Sequence, residues 1–562
     1  MTSAQLKEPT ASTQGVSEFC QEERAGQPED VAWMQPESLT RLAAALNTVR
    51  RLCPELPVLA IPWMHMSHPI HKTQERFLRG EGFGDPAAPQ TGGRQGWAAS
   101  LRSSIRVAGL VSYSALYAMW LSHRLARLQL CLRREIAGLK RKHFDLIAKT
   151  WCFGVERPRD DRDFYYGDLQ AKSARRGVQM LLLCGDVTGC DWKTFAQGQL
   201  STEPLCRIPE LSLVHPFRPI QMLAQQLRSA LRLRRLGARM SDPLTKEICR
   251  QAGEDCLSAA VTRLGLLFWV AQTAVRRWQP RAFVTLYEGR GWERCAWLGV
   301  KAAGFPCRTV GYQHTVVFRE CLSLTQPSPD GPEGSLPDVV LCLGQAPLEL
   351  MRLGHERYGV RMMNFGSFRH RGATAKHAAD PARRTVLVTP EGIASEVKFL
   401  FSFASACAQR LPGYRFILRS HPELPMRRAL ELAGCRVGRH SNMVVSENRS
   451  IDEDFARASV LMYRGSSSVL YAIANGLLPI FVSAETAINS DPVYALNTWR
   501  KCCGTPDEAV NLLRHYEQAP VEEREAEWRA AAQYVQDYLI PVEDARIEQF
   551  FKDVGIEVSR SP

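Results

Sequence analysis

A short apolar run, Val460 to Met462, ends in Arg464-Gly465 and three serines, Ser466-Ser467-Ser468; a helix-compatible segment from Val469 to Asn475 then stops at Gly476. Strand, glycine turn, hydroxyls and helix start form the repeating unit of an alternating α/β chain. The same arrangement points backbone N–H groups and the positive end of a helix dipole at an anion. A plainer reading makes Ser466 or Ser467 the N-cap of an ordinary helix. What surrounds the turn has to decide between them.

The unit recurs on both sides. Val178 to Asp186 is a largely apolar run ending in Gly185-Asp186, as a buried parallel strand would. A mostly helical region runs from about Pro216 to Trp278. Three strand candidates follow, 281–288, 308–314 and 338–344, with a crossover helix over 292–303 between the first two. Residues 366–384 are polar, basic and broken by Gly372 and Pro381, which marks a linker. After it the pattern restarts: strands at 385–390, 414–422, 444–445, 460–462 and 478–482, an amphipathic helix over 394–411, and a helical segment over 505–538. The expected organisation is a loose tail (1–35), an N-terminal α/β domain with helical insertions (36–365), the linker, a C-terminal α/β domain (385–545) and a short tail (546–562). Both domains are doubly wound parallel sheets, in which ligands sit off the carboxyl ends of the strands. Asp186, Glu288 and His314 fall at such ends.

Two early stretches read differently. Val58 to Trp63 is a strand candidate followed by His65, His68 and His71; with Pro62 and Pro69 among them and no acidic partner, they read as a loop beside a cleft rather than a metal site. From Ser100 to about Lys149 the pattern is helical and rich in arginine, a helix covering a sheet or one lying on an anionic membrane.

Charge favours an anionic partner: 71 basic against 58 acidic side chains leave a formal +13. No nucleic-acid-binding motif accompanies it. The 17 cysteines include no CxxC pair, and Cys184, Cys342 and Cys407 sit inside apolar runs, which fits buried thiols in a reducing compartment. No secretory h-region and no confident membrane span stand out, so a cytoplasmic place is expected, with peripheral association at the inner face of a membrane left open.

In the second half, Arg419-Ser420-His421-Pro422 puts a cation, a hydroxyl and an imidazole at one strand end, and Ser466 to Ser468 put hydroxyls and N–H groups at another. Together these are what a departing phosphate needs: fixed donors where charge develops. A histidine can also hand over a proton. The order Glu288-Gly289, His421-Pro422, then Ser466 to Ser468 resembles the bacterial polysialyltransferases and related capsule and surface-carbohydrate transferases of GT-B architecture, including the CDP-glycerol phosphotransferase type. The resemblance spans roughly residues 175–500.

It implies two Rossmann-like domains facing a cleft and an inverting, metal-independent glycosyltransferase with no cofactor. The substrate would be a nucleotide-sugar donor, with CMP- and CDP-linked sugars as candidates, and a carbohydrate or lipid-linked acceptor. By position, Glu288 is the general base, His421 assists the leaving nucleotide, and Arg419, Ser466, Ser467 and Ser468 hold the donor phosphate. Glu391 and Gly392 would line the donor pocket and Glu485 would contact the nucleotide. His314 (a rival base) and Asp186 belong to the acceptor side. Tyr287 stands where the sialyl family has a first acidic residue, which weakens the CMP-sialic acid assignment. A nucleotide-sugar 2-epimerase of the same fold and a non-catalytic, membrane-peripheral assembly protein are the alternatives.

Overall fold

The computed structural model describes residues 36–52, 77, 94–153, 162–187, 191–318, 321–325, 336–369, 375–421, 424–435, 437, 442–448, 450–484 and 490–558. These residues form two compact units. The first is helical. Its described part comprises helices Pro36–Leu52, Arg218–Gly237 and Pro243–Asp255, most of Arg94–Cys131 and the start of Ala259–Trp278. The buried Ser114 hydroxyl donates to the carbonyls of Leu110 and Leu257, and Gln226 Nε2 donates to Thr262 Oγ1 at 3.0 Å.

The second unit holds both sheets. One has seven strands: β1 (Leu146–Cys152), β2 (Met180–Asp186), β3 (Cys206–Pro209), β4 (Ala282–Tyr287), β5 (Arg308–Gln313), β6 (Val339–Cys342) and β7 (Arg361–Asn364), in the order β3-β2-β1-β4-β5-β6-β7. The other has six: β8 (Thr385–Thr389), β9 (Arg415–Leu418), β10 (Met443–Val445), β11 (Val460–Tyr463), β12 (Leu478–Val482) and β13 (Lys501–Cys503), in the order β10-β9-β8-β11-β12-β13. All neighbouring strands run parallel. Helices between consecutive strands cover both faces, so central strands such as Leu181–Cys184 and Val386–Val388 are fully buried and read as unbroken apolar runs. The α/β class and the two Rossmann-like, doubly wound sheets are those expected. In each sheet the strand order reverses once, between β1 and β4 and between β8 and β11, and a crevice opens off the carboxyl ends at such a reversal.

The structure departs from the sequence reading in three places. The helical stretch expected to reach Lys149 ends at Leu139, and β1 follows it. Lys149 disguises that strand: its side chain is buried, with Nζ 4.5 Å from the Trp292 ring centroid and 3.9 Å from a Glu210 oxygen, so the cation is compensated inside the sheet. Second, the helix Arg94–Cys131 belongs as far as His123 to the helical unit, not to the unit that holds the sheets.

Third, the expected tail beyond 546 is structured. Helix Asp544–Asp553 buries Ile547, Phe550 and Phe551 against the first sheet's side of the unit, with Phe550 edge-on to Phe365 at 5.8 Å and Asp553 paired to Arg361 at 2.6 Å. The preceding helix, Val521–Tyr538, begins against the second sheet's helix Ser468–Ala474, where Trp528 Nε1 donates to Ile473 O at 2.9 Å. Its end reaches the first sheet's residues, where Val317 N donates to Tyr538 Oη at 2.7 Å. The chain thus returns to the sheet it began with. The strand candidate Val58–Trp63 and His65, His68 and His71 lie outside the described residues.

Candidate active site

Glu288 leaves β4 at the first reversal point. Gly289 follows with φ +78°, a left-handed turn that a side chain would force against the Ser323 hydroxyl. Three residues into the next helix, the fully buried Glu293 closes the turn. One of its oxygens accepts from Glu288 N (2.8 Å), and the other accepts from Gly289 N (2.9 Å) and Arg290 N (3.0 Å). Burial, and then the Glu288 carboxylate, push the Glu293 pKa well up against the pull of those N–H groups. The sequence signal for Glu293 was available: an acid at the third helical position after a glycine turn is half of a capping box.

So fixed, the Glu288 carboxylate lies 2.8 Å from His314 Nε2 and 2.5 Å from Arg290 Nε, and is 17% exposed. His314 follows β5, the neighbouring strand, and is nearly buried, with the Tyr165 ring edge-on at 4.7 Å. Burial pushes its pKa down, while the hydrogen bond to Glu288 pulls the other way; the net effect is downward, so the ring is neutral near pH 7 and Nε2–H donates to Glu288. Among the described residues His314 Nδ1 has no partner. The pairing of Glu288 with Arg290 that an ordinary turn would make is therefore present, and so is a carboxylate–imidazole pair. Tyr287 cannot stand in for a second acid at this site, because it points into the core, its hydroxyl 2.7 Å from His355 Nε2.

The second reversal point carries hydroxyls instead. β8 and β11 pair with Thr389 opposite Tyr463, so the loops that follow them run side by side. Ser468 Oγ lies 2.9 Å from Thr389 Oγ1 and 2.8 Å from Ser466 Oγ, and Ser466 to Ser468 are half-buried. Gly465 has φ +62°, and a Cβ there would run into the Glu391 carboxyl and approach Ser490 Oγ. Arg464 is buried: it bonds the Glu396 carboxylate and the Val482 carbonyl (2.8 Å) and lies over the Phe399 and Phe481 rings. It anchors the turn from behind.

Glu391 follows Pro390 at the end of β8, beside Gly392. Its pKa is pushed up to about 8, first by burial, then by Glu396 and more weakly by Glu288, with Arg290 and Arg464 pulling it back. Glu288 and Arg290 of the first sheet thus act on Glu391 of the second. Arg369, which the sequence reading passed over as the start of the linker, spans the same region. Its guanidinium donates to His314 O at 2.9 Å, and its own carbonyl accepts from Tyr471 Oη at 3.4 Å.

The remaining candidates are more dispersed. Asp186 ends β2 and is half-buried, with β1 between β2 and β4. Arg419 directs its guanidinium to the buried Asp454 carboxylate (2.6 Å), Ser446 Oγ (3.0 Å) and Asn448 O (3.1 Å), which ties it into its own sheet. His421, two residues on, is half-buried, and its carbonyl accepts from Leu424 N at 2.9 Å. β8 separates its strand from the serine turn. Glu485 lies outside the described residues.

No family model matches the chain, and no curated protein matches it in sequence. Solved structures resemble it in overall form. An S. aureus MnaA–UDP co-structure is 8% identical with a TM-score of 0.42, over 75% of this chain and 99% of that one. An α,α-trehalose 6-phosphate synthase from Burkholderia multivorans is 13% identical (TM-score 0.41; 74% and 97%). The glycosyltransferase SnogD from Streptomyces nogalater is 14% identical (TM-score 0.39; 73% and 100%). At this level the likeness adds nothing to the strand order.

Proposed function

We propose that the chain is an inverting glycosyltransferase of GT-B type. It would transfer a sugar from a nucleotide-sugar donor to a surface-carbohydrate acceptor, as in capsule polysaccharide synthesis. The observation that carries the reading is Arg369, which donates to His314 O (2.9 Å) at the first reversal point and accepts from Tyr471 Oη (3.4 Å) on the helix after the serine turn, bringing together the two points where strand order reverses. The donor's phosphates lie at the second crevice against the hydroxyls of Ser466, Ser467 and Ser468, with Glu391 and Gly392 lining it and His421 one strand beyond. The acceptor enters on the side of His314 and Asp186.

In the reaction Glu288 takes the proton of an acceptor hydroxyl, and its oxygen attacks the anomeric carbon from the face opposite the phosphate. The carbon–oxygen bond to the phosphate breaks, and the nucleotide leaves with the negative charge, met by the serine hydroxyls and a proton or hydrogen bond from His421. His314 and Arg290 position the Glu288 carboxylate. This reading assigns no role to a metal.

A second reading has its own support. Glu391, its pKa pushed up to about 8, would return to the sugar the proton that Glu288 removes, as in a 2-epimerase. One assay set separates them: melting shifts with CMP-, CDP-, UDP- and GDP-sugars, then turnover of the stabilising sugar with and without acceptor, in wild type and Glu288→Gln. Transfer that needs acceptor and is lost in Glu288→Gln, with the melting shift retained, supports the transferase. Turnover without acceptor supports the epimerase. Unchanged turnover in Glu288→Gln removes both.

A further inference from the structure

Helix Arg94–Cys131 has two apolar sides. Ala118, Leu121 and Leu125 are buried, as is Ser114, whose hydroxyl reaches Leu257 O inside the helical unit. On the opposite side, Ile105 (63%), Tyr113 (57%), Leu116 (63%), Met119 (54%) and Trp120 (47%) are exposed. Steps of three, four and eight residues put these on one helical face, with the exposed Gly109 among them, over roughly 22 Å at the usual rise. Tyr113, Tyr117 and Trp120 form a run of neighbouring rings with centroids 6.4 and 5.4 Å apart. Isolated exposed apolar residues are ordinary; a continuous face of them is not.

Charge identifies the occupant. From 94 to 131 the sequence has no aspartate or glutamate, but has Arg94, Arg102, Arg106, Arg124 and Arg127. The helix Arg218–Gly237 of the same sequence is likewise acid-free and carries five arginines, and Phe217, Ile220 and Leu231 are exposed on or beside it. An apolar centre with tyrosine and tryptophan, on a helix that supplies arginines and no acids, with Arg106 paired to Glu254 of a neighbouring helix (3.1 Å), matches the boundary between headgroups and acyl chains of an anionic bilayer. A second copy of the same face would bring arginines against arginines, and a nucleic acid offers nothing to the apolar centre.

We propose that the face made by Ile105, Tyr113, Leu116, Met119 and Trp120 docks the protein on an anionic lipid surface, lying in the interface rather than crossing it. Among the described residues no single helix is long and apolar enough to cross a membrane.

The test is flotation of the full chain with phosphatidylcholine vesicles and with the same vesicles containing phosphatidylglycerol, paired with sedimentation velocity without lipid. The bound fraction rises at least about tenfold with the anionic lipid and falls at high salt. The double substitution Leu116→Glu/Trp120→Glu abolishes binding while the melting temperature is unchanged, as expected at exposed positions; Leu116→Gln, which adds no charge, weakens it severalfold. Equal binding to both vesicles, no binding, or undiminished binding by the double variant overturns the proposal. So does a wild type that self-associates through this face, seen as a dimer that the double substitution makes monomeric without any vesicle binding. None of these readouts depends on enzymatic activity, so the proposed reaction stands or falls separately.

Discussion

The two reversal points use the same backbone plan for different chemistry. At the first, a left-handed glycine (Gly289) exposes a carboxylate that touches a neutral imidazole and an arginine, and a buried glutamate fixes the turn through three backbone N–H groups. At the second, a left-handed glycine (Gly465) exposes neutral hydroxyls, and the local arginine is turned inward to a buried ion pair. Titratable groups thus cluster on one sheet and neutral donors on the other. This is the division expected when one side must move a proton and the other must receive charge. The exception is Glu391, a carboxyl on the hydroxyl side, kept protonated by its surroundings.

The largest expected break in this division is Glu288→Gln, which removes the acceptor of the proton; turnover should fall about 10²–10⁴-fold with the fold intact. His421→Ala should cost about 10²–10³-fold in turnover with little change in melting, as loss of a donor to developing charge does. Full activity in that variant would remove His421 from the mechanism.

Arg464→Met tests the inward arginine. It leaves the Glu396 carboxylate without its partner and should cost about 3 kcal/mol by denaturant melts. If stability held and donor affinity fell instead, Arg464 would be facing ligand. Gly465→Ala should cost about 1–2 kcal/mol from backbone strain alone, and more once the Glu391 carboxyl is displaced.

The smallest effect is the sharpest in sign. Because the folded-state pKa of Glu391 is raised to about 8 from its ordinary 4.5, the folded protein binds this proton more tightly than the unfolded chain. Its stabilising effect is complete below pH 4.5 and is lost as pH rises towards 8. Glu391→Gln should therefore raise Tm at pH 8 by a few degrees and change it little at pH 5, on a scale of about 2–4 °C per kcal/mol. A larger gain at pH 5 than at pH 8 would contradict the protonated state.

Much of this was legible from residues alone. Unbroken apolar runs ending in glycine or a polar tip located β2, β4, β5, β6, β8, β9, β10, β11 and β12, and Glu288, His314 and the serine turn were singled out because they follow strands. What escaped did so for physical reasons. β1 contains a lysine whose compensation by Trp292 and Glu210 comes from other elements. β3, β7 and β13 each carry a basic residue (Arg207, Arg361, Lys501) and no more than two apolar residues in a row, so no apolar run marks them. Arg369 looked like linker because its partner, the His314 carbonyl, lies 55 positions earlier in the chain. Arg419 looked like a phosphate ligand because the buried Asp454 that engages it is 35 positions away.

The sequence by itself determined the class of the sheets and the strand ends where polar side chains emerge, since both follow from local patterns of burial and turn. Only the tertiary structure decided which ends meet. Strand order placed Glu288 beside His314 and left Asp186 two strands away. Ion pairing turned Arg464 and Arg419 towards protein carboxylates. Burial, together with nearby carboxylates, raised the pKa of Glu391. Pairing, register and desolvation depend on residues far apart in the chain, and no local pattern encodes them.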